Sequence, residues 1–150
     1  MKIVLDTNCL LPAVFPRSKY HWIWESFRRG DFILCYSNEI IEEYEEQLSN
    51  LYPIEITKST IHLLLASRNV EKVIPYYKWN LIVADPEDNK FADCALNSGT
   101  DYLVSNDKHF NILKKTEFPK INVVKIDTFK NILEDTIKQI NLLNLKSLNL

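Results

Sequence analysis

Apolar residues in this chain fall into short, nearly continuous runs. A strand with one face in water alternates apolar and polar residues, whereas a strand covered on both faces is apolar almost throughout. Four runs are of the second kind, at residues 2–6, 32–36, 101–105 and 121–126. The pattern therefore predicts parallel strands packed between two layers of helices.

Segments with helical spacing lie between these runs. Ser37, and Asp85 followed by Pro86, are residue types favoured at helix starts, and Gly30 stands where a left-handed cap would end a helix. Residues 70–84 contain strand-like stretches without a clear period. We predict helices over residues 20–29, 37–50, 57–69 and 85–98. The alternation indicates an α/β fold, a three-layer α/β/α sandwich with a parallel sheet of four to five strands.

Length and composition are those of one domain. The chain has 150 residues, of which 46% are hydrophobic and 25% charged, as in an ordinary soluble globule. We assign residues 1–134 to this domain and residues 135–150 to a C-terminal helical tail, which could be docked, partner-binding or frayed. Because the sequence has neither a signal-peptide pattern nor an apolar run of membrane-spanning length, we expect a cytoplasmic protein without membrane contact.

Glycine, cysteine and charge content exclude several functions. Gly30 and Gly99 are the only glycines, which leaves no P-loop, no dinucleotide-binding turn and no glycine clamp for single strands. The three cysteines are far apart and odd in number, so we expect buried thiols rather than disulfides or a zinc site. The net charge of −2 lacks the basic excess typical of nucleic-acid binders.

Two acidic residues follow predicted strands. Asp6 ends the first strand, and Asp107 comes just after the strand at 101–105. Ligands of parallel sheets bind at the carboxyl ends of the strands, so these positions are candidates for a site. Each residue taken alone fits equally well as a helix cap or a turn former.

Two further acids lie on predicted helices. Glu43 and Glu45 border the apolar stripe of the helix at 37–50, and Glu43 is nearer to the strand ends. Asp88 falls near the centre of the apolar face of its helix, whereas Asp93 falls nearly opposite. The alternative for Asp88 is a capping box with Asp85.

Together these acids predict a metal site. Four carboxylates at one sheet edge repel one another unless a positive charge lies between them, and hard divalent cations prefer oxygen ligands. We therefore expect one or two Mg²⁺ or Mn²⁺ ions. The three histidines have no zinc-like spacing, although His109 adjoins Asp107 and is a candidate for contact at the rim.

The same residues carry a resemblance. Four motifs, LDTN at 5–8, SNEIIEEYEE at 37–46, DPEDNKFADCAL at 85–96 and DYLVSNDKHF at 101–110, are similar in order and spacing to those of the PIN-domain family of metal-dependent ribonucleases. That family includes the VapC-like toxins of toxin–antitoxin pairs, and the likeness covers about residues 2–133. The tail beyond about residue 135 is longer than the family pattern requires.

The resemblance implies a function and a site. It implies an endoribonuclease that hydrolyses phosphodiester bonds in RNA, often as a homodimer and with a cognate antitoxin as partner. The metal ligands and catalytic residues would be Asp6, Glu43, Asp88 and Asp107, with Thr7 and Asn8 as supporting polar groups. Candidate contacts to RNA phosphates are Arg17, Lys19, Lys90 and Lys108.

Two other functions stay open at this stage. A phosphatase of the haloacid-dehalogenase kind also begins with an aspartate after its first strand, but it has a second aspartate two residues later, where this chain has Asn8. The other alternative is a module of the same fold that binds RNA or a protein without catalysis.

Overall fold

A parallel sheet of five strands lies at the centre of the computed structural model, which describes residues 1–149. Its order is β3-β2-β1-β4-β5, and all neighbouring strands are parallel. The predicted α/β sandwich is confirmed. The strands are β1 (Lys2–Leu5), β2 (Ile33–Tyr36), β3 (Val70–Lys72), β4 (Tyr102–Val104) and β5 (Val123–Val124).

Within residues 1–149, seven α-helices connect and cover these strands. Two short 3₁₀ turns, Pro86–Asp88 and Lys108–Phe110, follow the loops at the carboxyl edge of the sheet. The helices are α1 (Thr7–Val14), α2 (His21–Arg29), α3 (Asn38–Leu51), α4 (Ile54–Ala66), α5 (Asn89–Ser98), α6 (Asn111–Lys115) and α7 (Ile126–Leu148).

β1 is the middle strand of the sheet. Ile3, Val4 and Leu5 are all buried, although successive side chains point to opposite faces, so both faces of the strand are covered. The chain order reverses around β1, with β2 on one side and β4 on the other. In open parallel sheets such a reversal opens a crevice at the carboxyl ends of the strands.

Predicted caps account for several helix ends. The Ser37 hydroxyl accepts from the N–H of Ile40 at the start of α3, and Gly30 ends α2 with φ 81° in the left-handed region. Asp85 caps the 3₁₀ turn at Pro86, and α5 then continues to Gly99. Side chains that satisfy free backbone groups at helix ends are readable from sequence because the interaction is local.

Three elements differ from the sequence prediction. α4 begins at Ile54 rather than at residue 57, because Pro53 serves as its N-cap and does not separate it from the preceding loop. The stretch 70–84 forms only the short strand β3 and then runs without regular structure. α1 is absent from the predicted helices; it contains Pro12, and burial of Cys9 and Leu10 outweighs the one N–H that proline lacks.

The C-terminal helix spans the predicted boundary at 134. α7 continues unbroken from Ile126 to Leu148, and its contact with the core is made by Phe129, Leu133 and Ile137. All described residues from 138 to 149 are exposed, and residue 150 of the predicted tail lies outside the described residues. We propose that the core domain ends on this helix, near the predicted boundary. No helix within residues 1–149 has the length and apolar character needed to cross a membrane.

Two leucines on α7 test this boundary. We expect Leu133→Ala to lower the free energy of unfolding by about 2–5 kcal/mol, because it opens a cavity in the core. The matched change Leu143→Ala should alter it by less than about 0.5 kcal/mol. The reason is the difference in exposure, 2% for Leu133 and 65% for Leu143. Urea unfolding monitored by circular dichroism measures both variants, and equal losses would place the tail inside the domain.

Candidate metal centre

An acidic cleft of about 540 Å³ opens at the carboxyl edge of the sheet. Among the described residues that line it, eight are acidic and Lys90 alone is basic. Three of the four predicted ligands, Glu43, Asp88 and Asp107, are in this lining. The acidic residues of the lining are Glu39, Glu42, Glu43, Glu46, Asp85, Glu87, Asp88 and Asp107.

Asp6 lies buried behind this lining, with 3% of its surface exposed. Its N–H donates to the carbonyl of Val104 at 3.0 Å, which extends the pairing of β1 with β4. The Ser105 hydroxyl donates to Asp6 Oδ2 at 2.7 Å and accepts from the N–H of Asp107 at 3.0 Å. Ser105 therefore links two of the predicted acids.

The pKa of Asp6 is raised. Burial is the main cause, and the hydrogen bond from Ser105 opposes it. The negative charges of Asp107 and Glu43 raise the pKa further. A nearby cation would reverse these effects, since it stabilises the ionised form.

Glu43 is bound at both carboxylate oxygens. Thr7, the first residue of α1, donates from Oγ1 to Oε1 at 2.7 Å, and Lys90 pairs with Oε2. Lys90 Nζ also lies 3.4 Å from Glu87 Oε2. Burial lowers the pKa of Lys90, but the two glutamates outweigh this and raise it above its ordinary value, so the amine stays charged. Glu45 is exposed, away from the cleft.

A second cluster surrounds His109. Its Nδ1 lies 3.7 Å from Asp85 Oδ2, 3.5 Å from Asp88 Oδ2 and 3.5 Å from Asp107 Oδ1. One ligand atom each from Asp85, Asp88 and His109 lie within 4.8 Å of one another. The structure thus brings Asp85, predicted only as a helix cap, and His109, predicted as a contact at the rim, together with Asp88 and Asp107.

Asp88 stands at the N-cap position of α5, but its side chain makes no capping hydrogen bond. Among the described residues its Oδ2 has no hydrogen-bond partner although the atom is buried, and the same holds for His109 Nδ1. Burial, followed by the charges of Asp85, Asp6 and Asp107, raises the pKa of Asp88 to about 6, and His109 lowers it. Buried polar atoms are normally satisfied, and carboxylate oxygens with one imidazole nitrogen suit a divalent cation. The residues therefore fit a metal ion.

The start of α5 is anchored by a loop that the sequence left undefined. Asn89 accepts from the N–H of Ile82 at 2.8 Å and donates to its carbonyl at 3.0 Å. Asp93 accepts from the N–H of Trp79 at 3.0 Å, so it is buried instead of facing water as its helical position indicated. These bonds hold α5 in the position from which Asp88 and Lys90 reach the cleft.

The other predicted residues differ in their surroundings. Asn8 lines the cleft. Arg17 and Lys19 are exposed on the loop between α1 and α2, and Lys108 is exposed on the second 3₁₀ turn. Lys90 is paired inside the cleft.

Comparison of the sequence with models of protein families identifies the family of this chain. Residues 2–109 match the family model of the PIN domain, which is more than half of the chain. The chain belongs to the PIN-domain family. PIN domains are generally nucleases, and PIN nucleases usually use divalent metals. All four predicted acids lie within the matched residues. No curated protein sequence matches the chain.

Two solved structures are similar in fold to this PIN domain. The crystal structure of VapBC2 from Rickettsia felis bound to a DNA fragment from their promoter matches with a TM-score of 0.59 and 17% identity, over 83% of this chain and 98% of that one. The crystal structure of FitAcB from Neisseria gonorrhoeae matches with a TM-score of 0.51 and 15% identity, over 81% and 95%. At these identities the likeness supports the fold.

Charge repulsion in the cleft predicts an unusual effect of Asp88→Asn. In EDTA we expect this substitution to raise the melting temperature by about 2–4 °C, because it removes a carboxylate that burial and the charges of Asp85, Asp6 and Asp107 destabilise, at a gain of about 1 kcal/mol. Added Mn²⁺ should stabilise the wild type more than the variant. Thermal unfolding with and without Mn²⁺ measures both effects.

Asp135→Asn is the control, since Asp135 is exposed on α7. It should leave the melting temperature and the response to Mn²⁺ unchanged. A lower melting temperature for Asp88→Asn in EDTA would contradict the assignment of Asp88 to an uncompensated cluster.

Proposed function

We propose that the protein is a metal-dependent endoribonuclease that hydrolyses RNA phosphodiester bonds. One observation carries the proposal. At the reversal of strand order, Asp88 Oδ2 and His109 Nδ1 are buried without hydrogen-bond partners among the described residues, and the carboxylates of Asp85 and Asp107 face them. Such a cluster is what a divalent cation would stabilise.

Asp6, Glu43, Asp88 and Asp107 are the proposed catalytic residues, and Asp88 and Asp107 have oxygens in the cleft that can reach a cation. We add Asp85 and His109 to them. Asp85, Asp88 and His109 would hold Mg²⁺ or Mn²⁺, which would supply positive charge to a phosphate and lower the pKa of a water molecule towards neutral. The imidazole nitrogen of His109 favours Mn²⁺ over Mg²⁺.

The chain's own groups keep the acids in place. Ser105 donates to the Asp6 carboxylate and accepts from the backbone N–H of Asp107, so it ties the end of β1 to the turn that follows β4. Thr7 orients Glu43 from the first residue of α1. Rigid placement of this kind lets charged groups act without reorganisation during the reaction.

RNA would bind over this cleft only with the metal present. Eight acids repel phosphates, so the electrostatic attraction depends on the bound cation. Arg17, Lys19 and Lys108 are exposed and are proposed to contact phosphates away from the cleavage point. Lys90 lies inside the cleft, and any contact that it makes with an RNA phosphate is proposed to be there.

Cleavage of single-stranded RNA tests the proposal. Purified protein should cut RNA with Mn²⁺ and stop in EDTA. Asp6→Asn, Asp88→Asn and Glu43→Gln should each reduce the rate at least about 100-fold, which corresponds to a loss of several kcal/mol of charge stabilisation. The matched control Glu45→Gln, on the same helix but exposed, should keep the wild-type rate.

Cleavage that persists in EDTA, or an equal loss in Glu45→Gln, would contradict this function. RNA binding without cleavage at any Mn²⁺ concentration would instead favour the non-catalytic module. A phosphatase of the haloacid-dehalogenase kind would hydrolyse phosphomonoesters and leave RNA intact.

We further propose that the protein is the toxin of a toxin–antitoxin pair, working in the cytoplasm as a homodimer with a protein antitoxin. The fold similarity to VapBC2 and FitAcB supports this role. Induced expression should arrest bacterial growth, while Asp6→Asn should not, because it removes the cleavage activity. Colony counts after induction, with equal protein levels checked by immunoblot, measure the difference, and equal arrest by both proteins would contradict the role.

A further inference from the structure

Positive charge is distributed unevenly in the cleft. On one side, Thr7 and Lys90 occupy the two carboxylate oxygens of Glu43. On the other side, Asp88 Oδ2 lies 3.5 Å from His109 Nδ1, and neither atom has a hydrogen-bond partner within residues 1–149. The Glu43 side is therefore neutralised by the chain itself, and the Asp88 side is not.

Lys90 is built into the cleft. Its side chain is 10% exposed, and it lies in the first turn of α5. The preceding residue, Asn89, is bound to both backbone groups of Ile82, which anchors this turn. Glu87, 3.4 Å from Nζ, holds the ammonium from the solvent side. A surface lysine that merely balances charge would be solvated instead.

A metal ion and an ammonium compete for the same carboxylate. An ion that binds Glu43 must displace Lys90 from Oε2 or tolerate its positive charge at contact distance, which is costly in a partly buried site. The cluster of Asp85, Asp88 and His109, whose ligand atoms lie within 4.8 Å of one another, contains no lysine or arginine among the described residues. The first divalent cation is therefore directed to that cluster.

We propose that Lys90 takes the place of a second metal ion, so that the chain binds one divalent cation, at Asp85, Asp88 and His109, and keeps Glu43 paired with its own lysine. This inference rests on the proposed metal-dependent function. Lys90 then acts as a positioning residue: it holds Glu43 and places a fixed positive charge within the same cleft.

Counting bound Mn²⁺ in the full chain without RNA tests the inference. Isothermal titration calorimetry, with electron paramagnetic resonance of free Mn²⁺, should give one ion per wild-type chain. Lys90→Met frees Glu43 and should add a second ion, with an affinity at least about tenfold above any second site of the wild type. Adding Glu43→Gln to Lys90→Met should return the count to one. Lys90→Arg keeps the charge and should bind one ion.

Lys78→Met is the control for a general loss of positive charge. Lys78 is exposed and lies 3.9 Å from Glu39, another acid of the cleft, so its removal should leave the count at one. An equal gain in Lys78→Met and Lys90→Met would overturn the inference, as would a single ion in Lys90→Met.

The number of Mn²⁺ ions bound by the wild-type chain tests the inference even if Lys90→Met does not fold. Two ions of comparable affinity in the wild type would overturn the role of Lys90 and leave the proposed nuclease function standing. No bound ion at all would contradict the proposed function itself. A separate measurement of RNA cleavage distinguishes failure of the inference about Lys90 from failure of the proposed function.

Discussion

The electrostatics of the cleft depend on the burial of Asp6 at the end of β1. This strand has neighbours on both sides and side chains buried on both faces, so the residue that follows it has almost no contact with water. An ionised carboxylate in such a place is unstable unless other groups compensate it. The Ser105 hydroxyl provides part of this compensation, and it also fixes Asp107. The charges of Glu43 and Asp107 then make the position still less favourable for an anion without a cation nearby.

The carboxylates of Asp85 and Asp107 both cap a 3₁₀ turn and contribute to the candidate metal site. Asp85 caps the first 3₁₀ turn through Oδ1 and presents Oδ2 to His109, and Asp107 caps the second turn while it faces the same imidazole. For Asp107 the alternatives of cap and ligand are therefore compatible, and Asp85, predicted only as a cap, can serve as both, since a carboxylate has two oxygens and several lone pairs. Asp88 differs, because its side chain makes no capping hydrogen bond and its buried Oδ2 has no hydrogen-bond partner among the described residues.

Membership of the PIN-domain family and low identity to the similar structures are consistent with each other. A parallel sheet of this order requires apolar strands and suitable residues at helix ends, and many different sequences meet these requirements. The site requires only a few acidic residues at strand ends and helix starts. Repulsion between these acidic side chains lowers the stability of the folded chain. A cation that neutralised them would therefore strengthen the fold and complete the site together.

Local patterns in the sequence were enough to predict four of the five strands, the helix caps at Ser37, Gly30 and Asp85, and the motifs of the PIN domain, because these depend on neighbouring residues. Asp6, Glu43, Asp88 and Asp107 could be named as candidates for the same reason. Tertiary structure alone decided that Lys90 pairs with Glu43, that Ser105 binds the carboxylate of Asp6 and that His109 faces Asp85 and Asp88. Those contacts link distant parts of the chain. Tertiary structure also buried Asp93 under the loop that carries Trp79, which helical periodicity could not reveal.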